Sequence, residues 1–179
     1  MRQLLLLVSG IILLHLASCA STQQTGNGDS GTDTADVAEP NQPGWYNGLI
    51  PSESDSTSFT GFAHAVSMDR ADAESLAEET AMNNLRFEID KFAESIRREL
   101  NEGVSGTSFG SASFIRDVRN AVGSMSLEGA SSETEFFEVD SVIHAYTRVN
   151  LPRNTVLERL TSRISNNDFS GALRQRMSN

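Results

Sequence analysis

The stretch SFTGFAHAVSMDRADAESLAEETAMNNL, residues 58–85, decides the fold, because its apolar period changes part-way along. Residues 58–67 alternate between a small side and a larger side: Phe59, Gly61, Ala63 and Ala65, then Phe62, His64 and Val66. Such alternation is typical of a strand. From position 69 the apolar residues recur every three or four positions, which is the period of a helix. The stretch therefore predicts a strand followed directly by a helix, with the small side of the strand close under that helix.

The predicted helix begins after Asp69, a candidate N-cap. Its apolar stripe starts with three alanines and continues with larger side chains: Ala73, Ala77, Ala81, Leu85, Ile89, Phe92, Ile96 and Leu100. The segment LRFEID, residues 85–90, alternates apolar and charged residues, so a strand is the alternative there. An unbroken helix over 69–100 would be about 48 Å long. Because that is long for a small domain, we expect a break at Asn83-Asn84.

The remainder of the chain predicts more helices and one further β region. Ile115, Val118, Val122 and Met125 have helical spacing, and residues 126–152 are β-rich. In that region one face of a strand carries Ile143, Ala145, Thr147, Val149 and Leu151, and the other carries His144, Tyr146 and Arg148. Asn154 is the expected cap of a third helix after Pro152. The predicted fold is α+β in two layers: a small antiparallel sheet, with the long alanine-rich helix and further helices packed on one face.

The N-terminus has the pattern of a secretory signal. Met1 and Arg2 precede the apolar run LLLLVSGIILLHL, and small residues follow in ASCAS. Leu16-Ala17-Ser18-Cys19 resembles the bacterial lipobox, and Cys19 is the only cysteine of the chain. That resemblance implies cleavage after residue 18 and a diacylglyceryl thioether with fatty acyl chains at Cys19. The alternative is an ordinary signal peptide whose cleavage falls beside a cysteine. Because Ala20 rather than aspartate follows the cysteine, the expected location is the outer membrane.

Residues 19–43 are expected to form a disordered tether. They contain four acidic residues, no basic residue and almost no large apolar residue, so they cannot bury enough surface to offset the entropy of ordering. Residues 44–179 then form a single domain. Without residues 1–18 the chain keeps 13 basic and 24 acidic side chains, a net charge of −11. That charge argues against nucleic acid as a partner, and against binding to anionic membranes other than through the lipid anchor.

Several segments together resemble a known family. These are Pro43-Gly44-Trp45, the strand FTGFAHAVS, the helix ADAESLAEETAMNNLRFEI and the late segment HAYTRVNLPRNTV. Between about Pro43 and Val156 the chain resembles the bacterial outer-membrane lipoproteins typified by the twenty-kilodalton membrane-associated lipoprotein. The resemblance implies a non-enzymatic surface or periplasmic protein with a scaffold or binding role, in some members linked to flagellar assembly. It implies an envelope protein as the partner.

The chain also contains weak catalytic and metal-binding patterns. Residues 106–110, GTSFG, fit the G-x-S-x-G elbow of serine hydrolases, with Ser108 as nucleophile and Asp140 and His144 downstream. A polar segment precedes this motif instead of the apolar strand that an elbow needs, so a flexible connector is the favoured interpretation. His64 and His144 lie on predicted strands and would be a metal pair only if those strands were neighbours. Since no cysteine or close histidine pair supports a site, we expect no metal. Three acidic residues are interpreted as the solvated face of the helix: Glu74, Glu78 and Glu79.

The predicted function is that of a lipid-anchored, non-enzymatic envelope scaffold or interaction module with no cofactor beyond the acyl groups at Cys19. Two prolines and two glycines around Trp45 and Tyr46 exclude a regular helix, so we expect both side chains to pack on the domain edge from an extended segment. They are the candidate partner contacts, although anchoring of the fold is the favoured role for both. A periplasmic module for a small ligand or lipid is the alternative, and a serine hydrolase using Ser108 is a remote one. The ligand alternative predicts a cavity lined by Phe59, Phe62, Phe92 and Ile96. The oligomeric state stays open.

Overall fold

The computed structural model describes residues 42–103 and 108–178, in which two pairs of consecutive strands alternate with two pairs of consecutive helices along the chain. The strands are β1 Ser52–Ser54, β2 Ser58–Ser67, β3 Ser131–Val139 and β4 Val142–Pro152. The helices are α1 Arg70–Gly103, α2 Ala112–Gly123, α3 Arg153–Thr161 and α4 Asn167–Met177, and a short 3₁₀ turn covers Ser108–Gly110. The predicted signal peptide and nearly all of the predicted tether lie outside the described residues.

The strands form one antiparallel sheet in the order β1-β2-β4-β3. The centre of the sheet is the long β2–β4 pair, in which Ala63 lies opposite Thr147 and Ala65 opposite Ala145. A two-residue turn at Asp140-Ser141 joins β3 to β4, and both of its residues have positive φ (51° and 64°). Positive φ at both central positions is typical of a type I′ hairpin turn, whose twist matches that of the strands. The predicted α+β fold class is confirmed.

Helix α1 crosses one face of the sheet very closely. The odd-numbered residues of β2 and β4 point toward it, and the stripe Ala73, Ala77 and Ala81 is fully buried against them. At Gly61 the backbone of the helix lies so near that an added Cβ would overlap the Ala81 carbonyl oxygen and the Leu85 backbone nitrogen. The small residues on both surfaces therefore set the distance between helix and sheet, as the sequence predicts.

The break predicted at Asn83-Asn84 is wrong, because α1 continues over 34 residues, about 51 Å. The side-chain amide of Asn84 points sideways and donates from Nδ2 to the Phe62 carbonyl oxygen at 2.7 Å. It therefore gives that carbonyl group of β2 a hydrogen-bond partner and does not interrupt the backbone hydrogen bonds of the helix. The strand alternative for residues 85–90 is also wrong. Leu85 and Ile89 are both fully buried on the helical stripe, while Phe87 is exposed on another side.

The capping predictions have mixed outcomes. Asp69 caps α1, since its Oδ1 accepts from the backbone N–H of Ala71 at 2.8 Å and of Asp72 at 3.1 Å. The cap at Asn154 is wrong: α3 begins at Arg153, with Pro152 in the N-cap position and no side-chain hydrogen bond there. The fixed φ of proline already suits a helix start, and the backbone N–H of Arg153 donates to the Thr57 carbonyl oxygen at 2.9 Å.

The second half of α1 organises the main core. Larger side chains replace the alanines there, and α2, α3 and α4 pack around them. Arg97 is buried at this end of α1 and donates to the carbonyl oxygen of Phe109 at 2.6 Å and to both carboxylate oxygens of Glu94 at 2.7 Å. The Arg97 and Arg98 guanidinium groups lower the pKa of Glu94 to about 2. Arg97, which Glu94 holds in place, therefore ties the 3₁₀ turn after α1 to the helix through its hydrogen bond to Phe109.

Candidate interaction surface on the sheet

The face of the sheet that points away from α1 carries aromatic, histidine and charged side chains, and we call it the open face. It carries the even-numbered residues of β2 and β4 and the odd-numbered residues of β3. Its central members are Phe62, His64, His144, Tyr146, Arg148, Glu133, Glu135 and Phe137. The sequence alternation predicts the correct face for the residues of β2 and β4. It does not predict that they join one cluster, because that depends on which strands are neighbours.

The segment of residues 43–50 places Trp45 and Tyr46 over the open face, and we call this segment the strap. Trp45 stacks on Phe62 with ring centroids 6.1 Å apart, and its Nε1–H donates to Glu135 Oε1 at 2.6 Å. Tyr46 packs edge-on against Tyr146 at 4.9 Å. As a result Phe62 and Tyr146 are only 7 % and 2 % exposed although they point away from α1. The strap therefore acts as a partial cover for the sheet.

The position of Trp45 and Tyr46 differs from the sequence prediction in one respect. An extended segment on the domain edge was expected, whereas the strap is turned and lies on the face. The Tyr46 backbone N–H donates to the Pro43 carbonyl oxygen at 3.0 Å, and the Ile50 N–H to the Asn47 carbonyl oxygen at 2.9 Å. These two turns fold the segment back, so that both aromatic rings, each half-buried, reach the sheet.

His64 and His144 meet diagonally across β2 and β4. His64 Nε2 lies 3.0 Å from His144 Nδ1, and the ring planes are 13° apart with centroids separated by 5.2 Å. The rings are thus edge to edge in nearly one plane, so one histidine donates its N–H to the lone pair of the other. Burial, and to a smaller extent the neighbouring His144, lowers the pKa of His64. This pair is poorly suited to hold two positive charges.

Two tyrosines lie next to the histidine pair. Tyr146 stacks on His64 with centroids 4.3 Å apart and planes 11° apart. Burial raises the pKa of both Tyr46 and Tyr146, and for Tyr146 the nearby Tyr46 adds to the effect. Both tyrosines are therefore neutral at physiological pH and present hydroxyl groups that donate and accept hydrogen bonds.

A charged rim borders the aromatic cluster on the β3 side. Arg148 donates from Nη2 and Nε to Glu133 Oε2 at 2.6 and 2.8 Å, and its guanidinium lies 5.1 Å from the centroid of the Trp45 ring. The alternation of β4 correctly predicts Arg148 on this face, whereas its neighbours Glu133 and Glu135 were not predicted. The alternation of β3, with glutamates at positions 133 and 135, was the signal that could have found them. Together these groups can recognise a partner through stacking and hydrogen bonds.

The residues of the hydrolase pattern are not brought together. Ser108 starts the 3₁₀ turn beyond the C-terminal end of α1, and the neighbouring Phe109 is buried in the main core. His144 instead faces the strap side of the sheet and contacts His64, while Asp140 lies in the β3–β4 turn. No strand of the described residues leads into the serine, which the elbow geometry requires. Gly106 and Thr107 lie outside the described residues.

The described residues contain no group of three or more histidine, cysteine or acidic side chains placed to hold a metal ion. Glu74 and Glu79 are exposed on the outer side of α1 and Glu78 is partly exposed, in keeping with a solvated helix face. Within residues 42–103 and 108–178, no helix combines the length and the apolar character needed to cross a membrane. Cys19, the predicted lipidation site, lies outside the described residues.

The cavity predicted for a small ligand is not formed. Phe59 packs edge-on against Phe92 with centroids 5.2 Å apart and is fully buried, as is Ile96, while Phe62 points to the opposite face of the sheet. A different concave surface, of about 520 Å³, lies between α2 and the turn before α4. It is lined by Phe114, Asp117, Asn120, Ala121, Ser124, Arg163, Ile164, Ser165 and Asn166.

Comparisons with known proteins add no relationship: no protein-family model, curated protein or solved structure matches the chain. Membership of the lipoprotein family that the sequence resembles therefore stays a prediction.

Proposed function

We propose that this protein is a lipid-anchored, non-enzymatic lipoprotein of the bacterial outer membrane that presents its α+β domain to another envelope protein. In this proposal Cys19 carries the acyl chains and residues 20–42 span the distance to the domain. The apolar leader and the lipobox-like Leu16-Ala17-Ser18-Cys19 support the anchor. Two or more acyl chains are needed for stable attachment, since a single chain binds membranes only marginally.

The observation that carries the proposal is the way the chain enters the domain. Immediately after the proposed tether, Trp45 and Tyr46 fasten the strap to the open face through stacking and the Trp45–Glu135 hydrogen bond. A domain held by its N-terminus needs a firm attachment at that point, because any pull on the tether acts first on the strap. The strap supplies it with large aromatic contact areas rather than with a strand.

The same geometry suggests where an envelope partner would bind. Tyr46 is half-buried, and Arg148, whose guanidinium lies against the adjacent Trp45, forms a partly exposed ion pair with Glu133. Aromatic and arginine side chains are the residues that contribute most often to binding energy at protein interfaces. The proposed partner surface is therefore the part of the open face around Tyr46 and Arg148.

The anchor is tested by labelling cells with radioactive palmitate and separating their membranes. The expected result is label in the wild-type chain and in a Ser21→Ala control, and none in Cys19→Ala, which should leave the membrane fraction. An unlabelled wild-type protein, or a Cys19→Ala variant that still sediments with membranes, would refute the anchor.

The partner surface is tested by photo-crosslinking in intact cells. A photoreactive amino acid at the exposed position Asn47, next to Tyr46, should give a defined adduct with an envelope protein, and Arg148→Ala should weaken it several-fold. The same amino acid at the exposed position Phe87, on α1, serves as the control. Equal adducts from positions 47 and 87 would contradict a specific surface on the open face.

The runner-up is a periplasmic module for a small polar ligand, favoured by the groove between α2 and the turn before α4. Asn120, Ser124 and Asn166 offer hydrogen-bonding groups above an apolar floor that includes Phe114 and Ala121. Asn120→Trp would fill the groove and abolish binding of such a ligand, measured by calorimetry, while binding at the open face would be unchanged. The remote hydrolase alternative predicts that Ser108→Ala abolishes ester hydrolysis.

A further inference from the structure

Strand β2 has an edge that β1 covers only in part. The three residues of β1 pair with Phe59, Thr60 and Gly61, and the remaining ladder bonds are Asp55 N–H to the Ser58 carbonyl oxygen and Phe62 N–H to the Pro51 carbonyl oxygen. In an antiparallel ladder alternate residues bond to opposite neighbours. The even-numbered residues of β2 therefore direct their backbone groups toward the β1 side.

Beyond Phe62 this edge is open in the described part of the chain. The N–H and C=O groups of His64 and Val66 point to it, and no described strand pairs with them there. We call β2 residues 63–67 the free edge. The Phe62 carbonyl oxygen, which immediately precedes the free edge, accepts a hydrogen bond from the side chain of Asn84. Unpaired strand backbone of this kind is a template for pairing with another chain.

The surroundings of the free edge are apolar. Val66 is 45 % exposed and Met68, just after the strand, is 88 % exposed. On α1, Leu76 lies two helical turns before Asn84 on the same flank and is 53 % exposed. From Ala63 to Met68 the chain carries no acidic residue, lysine or arginine.

The opposite edge of the same sheet is different. The outer strand there is β3, which carries Glu133, Glu135 and Glu138. Charged side chains on an edge strand are a common protection against unwanted pairing, because a second strand would have to bury them. The sheet thus protects its β3 edge and leaves its β2 edge uncharged.

We propose that the free edge pairs antiparallel with the free edge of a second copy of this chain, giving one continuous sheet through the dimer. With His64 opposite Val66 of the second copy, the even-numbered backbone groups of the two edges exchange hydrogen bonds about a two-fold axis. The charge of the chain argues for this occupant. A chain with a net charge of −10 repels its own copies at most surfaces, whereas residues 63–68 carry no charge that would oppose contact between two copies and no acidic side chain that would attract a basic peptide.

The test measures hydrogen exchange of single backbone amides in the full chain, purified in detergent, by NMR over a concentration series. Protection of the His64 and Val66 amides should rise at least ten-fold from low to high concentration. The alternation of β3 directs its even-numbered amides outward. The Ser132 amide should therefore stay unprotected throughout.

Two sets of variants sharpen the test. Val66→Pro removes one outward N–H without touching the β2–β4 ladder, so it should abolish the concentration dependence, while Ser132→Pro on the opposite edge should leave it unchanged. Val66→Glu and Val66→Lys should each weaken the dimer, and mixing the two should restore it, because the two side chains at position 66 lie diagonally across the seam.

Two outcomes would overturn the proposal. One is exchange at His64 and Val66 that stays fast at every concentration. The other is protection that is the same at every concentration, which would show that a segment of the same chain or a different partner, rather than a second copy, pairs with the free edge. Failure of the anchoring experiment at Cys19 would leave this test unaffected, because the free edge is a property of the domain alone.

Discussion

Replacing Gly61 by alanine is the sharpest test of how the helix and the sheet fit together. In a strand this change ordinarily stabilises a protein by about 0.4–1 kcal/mol, because it restricts the unfolded chain. Here the added Cβ would overlap the Ala81 carbonyl oxygen and the Leu85 backbone nitrogen, and would lie 2.9 Å from Leu85 Cβ. Since these atoms belong to a helix backbone that is packed along its length, they cannot move aside as a side-chain tip could.

The expected cost of Gly61→Ala is about 3 kcal/mol, at the upper end of the range for overpacked cores. The described domain should have a free energy of unfolding on the order of 7–20 kcal/mol, so the variant folds but its Tm falls by roughly 10 °C. The measurement is urea denaturation followed by circular dichroism. Gly171→Ala is the matched control: this exposed glycine inside α4 has no atom within 4 Å of an added Cβ, so alanine should stabilise by about 0.5–1 kcal/mol. A Gly61→Ala variant as stable as wild type would refute the close approach of α1.

Three further predictions concern the polar and aromatic contacts. Arg97 and Arg98 lower the pKa of Glu94 to about 2, so the Glu94 carboxylate contributes its full stability above about pH 4.5 and loses it as the pH falls toward 2. Glu94→Gln should therefore flatten the plot of the free energy of unfolding against pH between these values. An unchanged plot would contradict the ion pair. The pKa of His64 is also lowered, so protonation of His64 destabilises the fold, and the free energy of unfolding should fall as the pH drops below 6.5. His64→Phe keeps an aromatic ring on Tyr146 and should remove that fall. Urea denaturation of the variant and of wild type at pH 7.5 and 5.5 measures the difference. Trp45→Phe retains a ring on Phe62 but loses the hydrogen bond to Glu135, so it should lower the free energy of unfolding by about 1 kcal/mol. Trp45→Ala loses the ring as well and should lower it by about 2–3 kcal/mol. Equal losses for the two variants in urea denaturation would show that stacking contributes nothing.

The sequence predicted the parts of the fold that depend on a long local period. The alanines of α1 recur over many turns, and the alternation of β2 and β4 extends over ten or eleven residues, so each pattern identifies its element and its buried face. The fold class follows from those elements. Among the predictions that relied on one or two residues, the local cap at Asp69 is confirmed, whereas the break at Asn83-Asn84 and the cap at Asn154 are wrong because a contact distant in sequence decided them. Asn84 is held in the helix by the Phe62 carbonyl oxygen, and α3 starts at Arg153 beside Thr57.

The candidate site was harder to predict for a related reason. His64 and His144 are 80 residues apart, and Trp45 and Glu135 are 90 apart. Their contacts exist because β2 pairs with β4, β4 pairs with β3, and the strap folds back over all three. The residue types on each strand are visible in the sequence, whereas the strand order β1-β2-β4-β3 is a long-range property that no local pattern specifies.

The geometry separates the two roles that Trp45 and Tyr46 could have. The Trp45 ring contacts Phe62 and Arg148, and its only polar group is bonded to Glu135, so a partner would have to break existing contacts to use it. Tyr46 is fastened by ring contacts, and burial keeps its hydroxyl group neutral, which leaves that group able to donate to a partner. Trp45 is therefore best assigned to holding the strap and Tyr46 to the proposed contact. The assignment requires that a Tyr46→Phe variant keep its stability and lose partner adducts, because only the hydroxyl group differs.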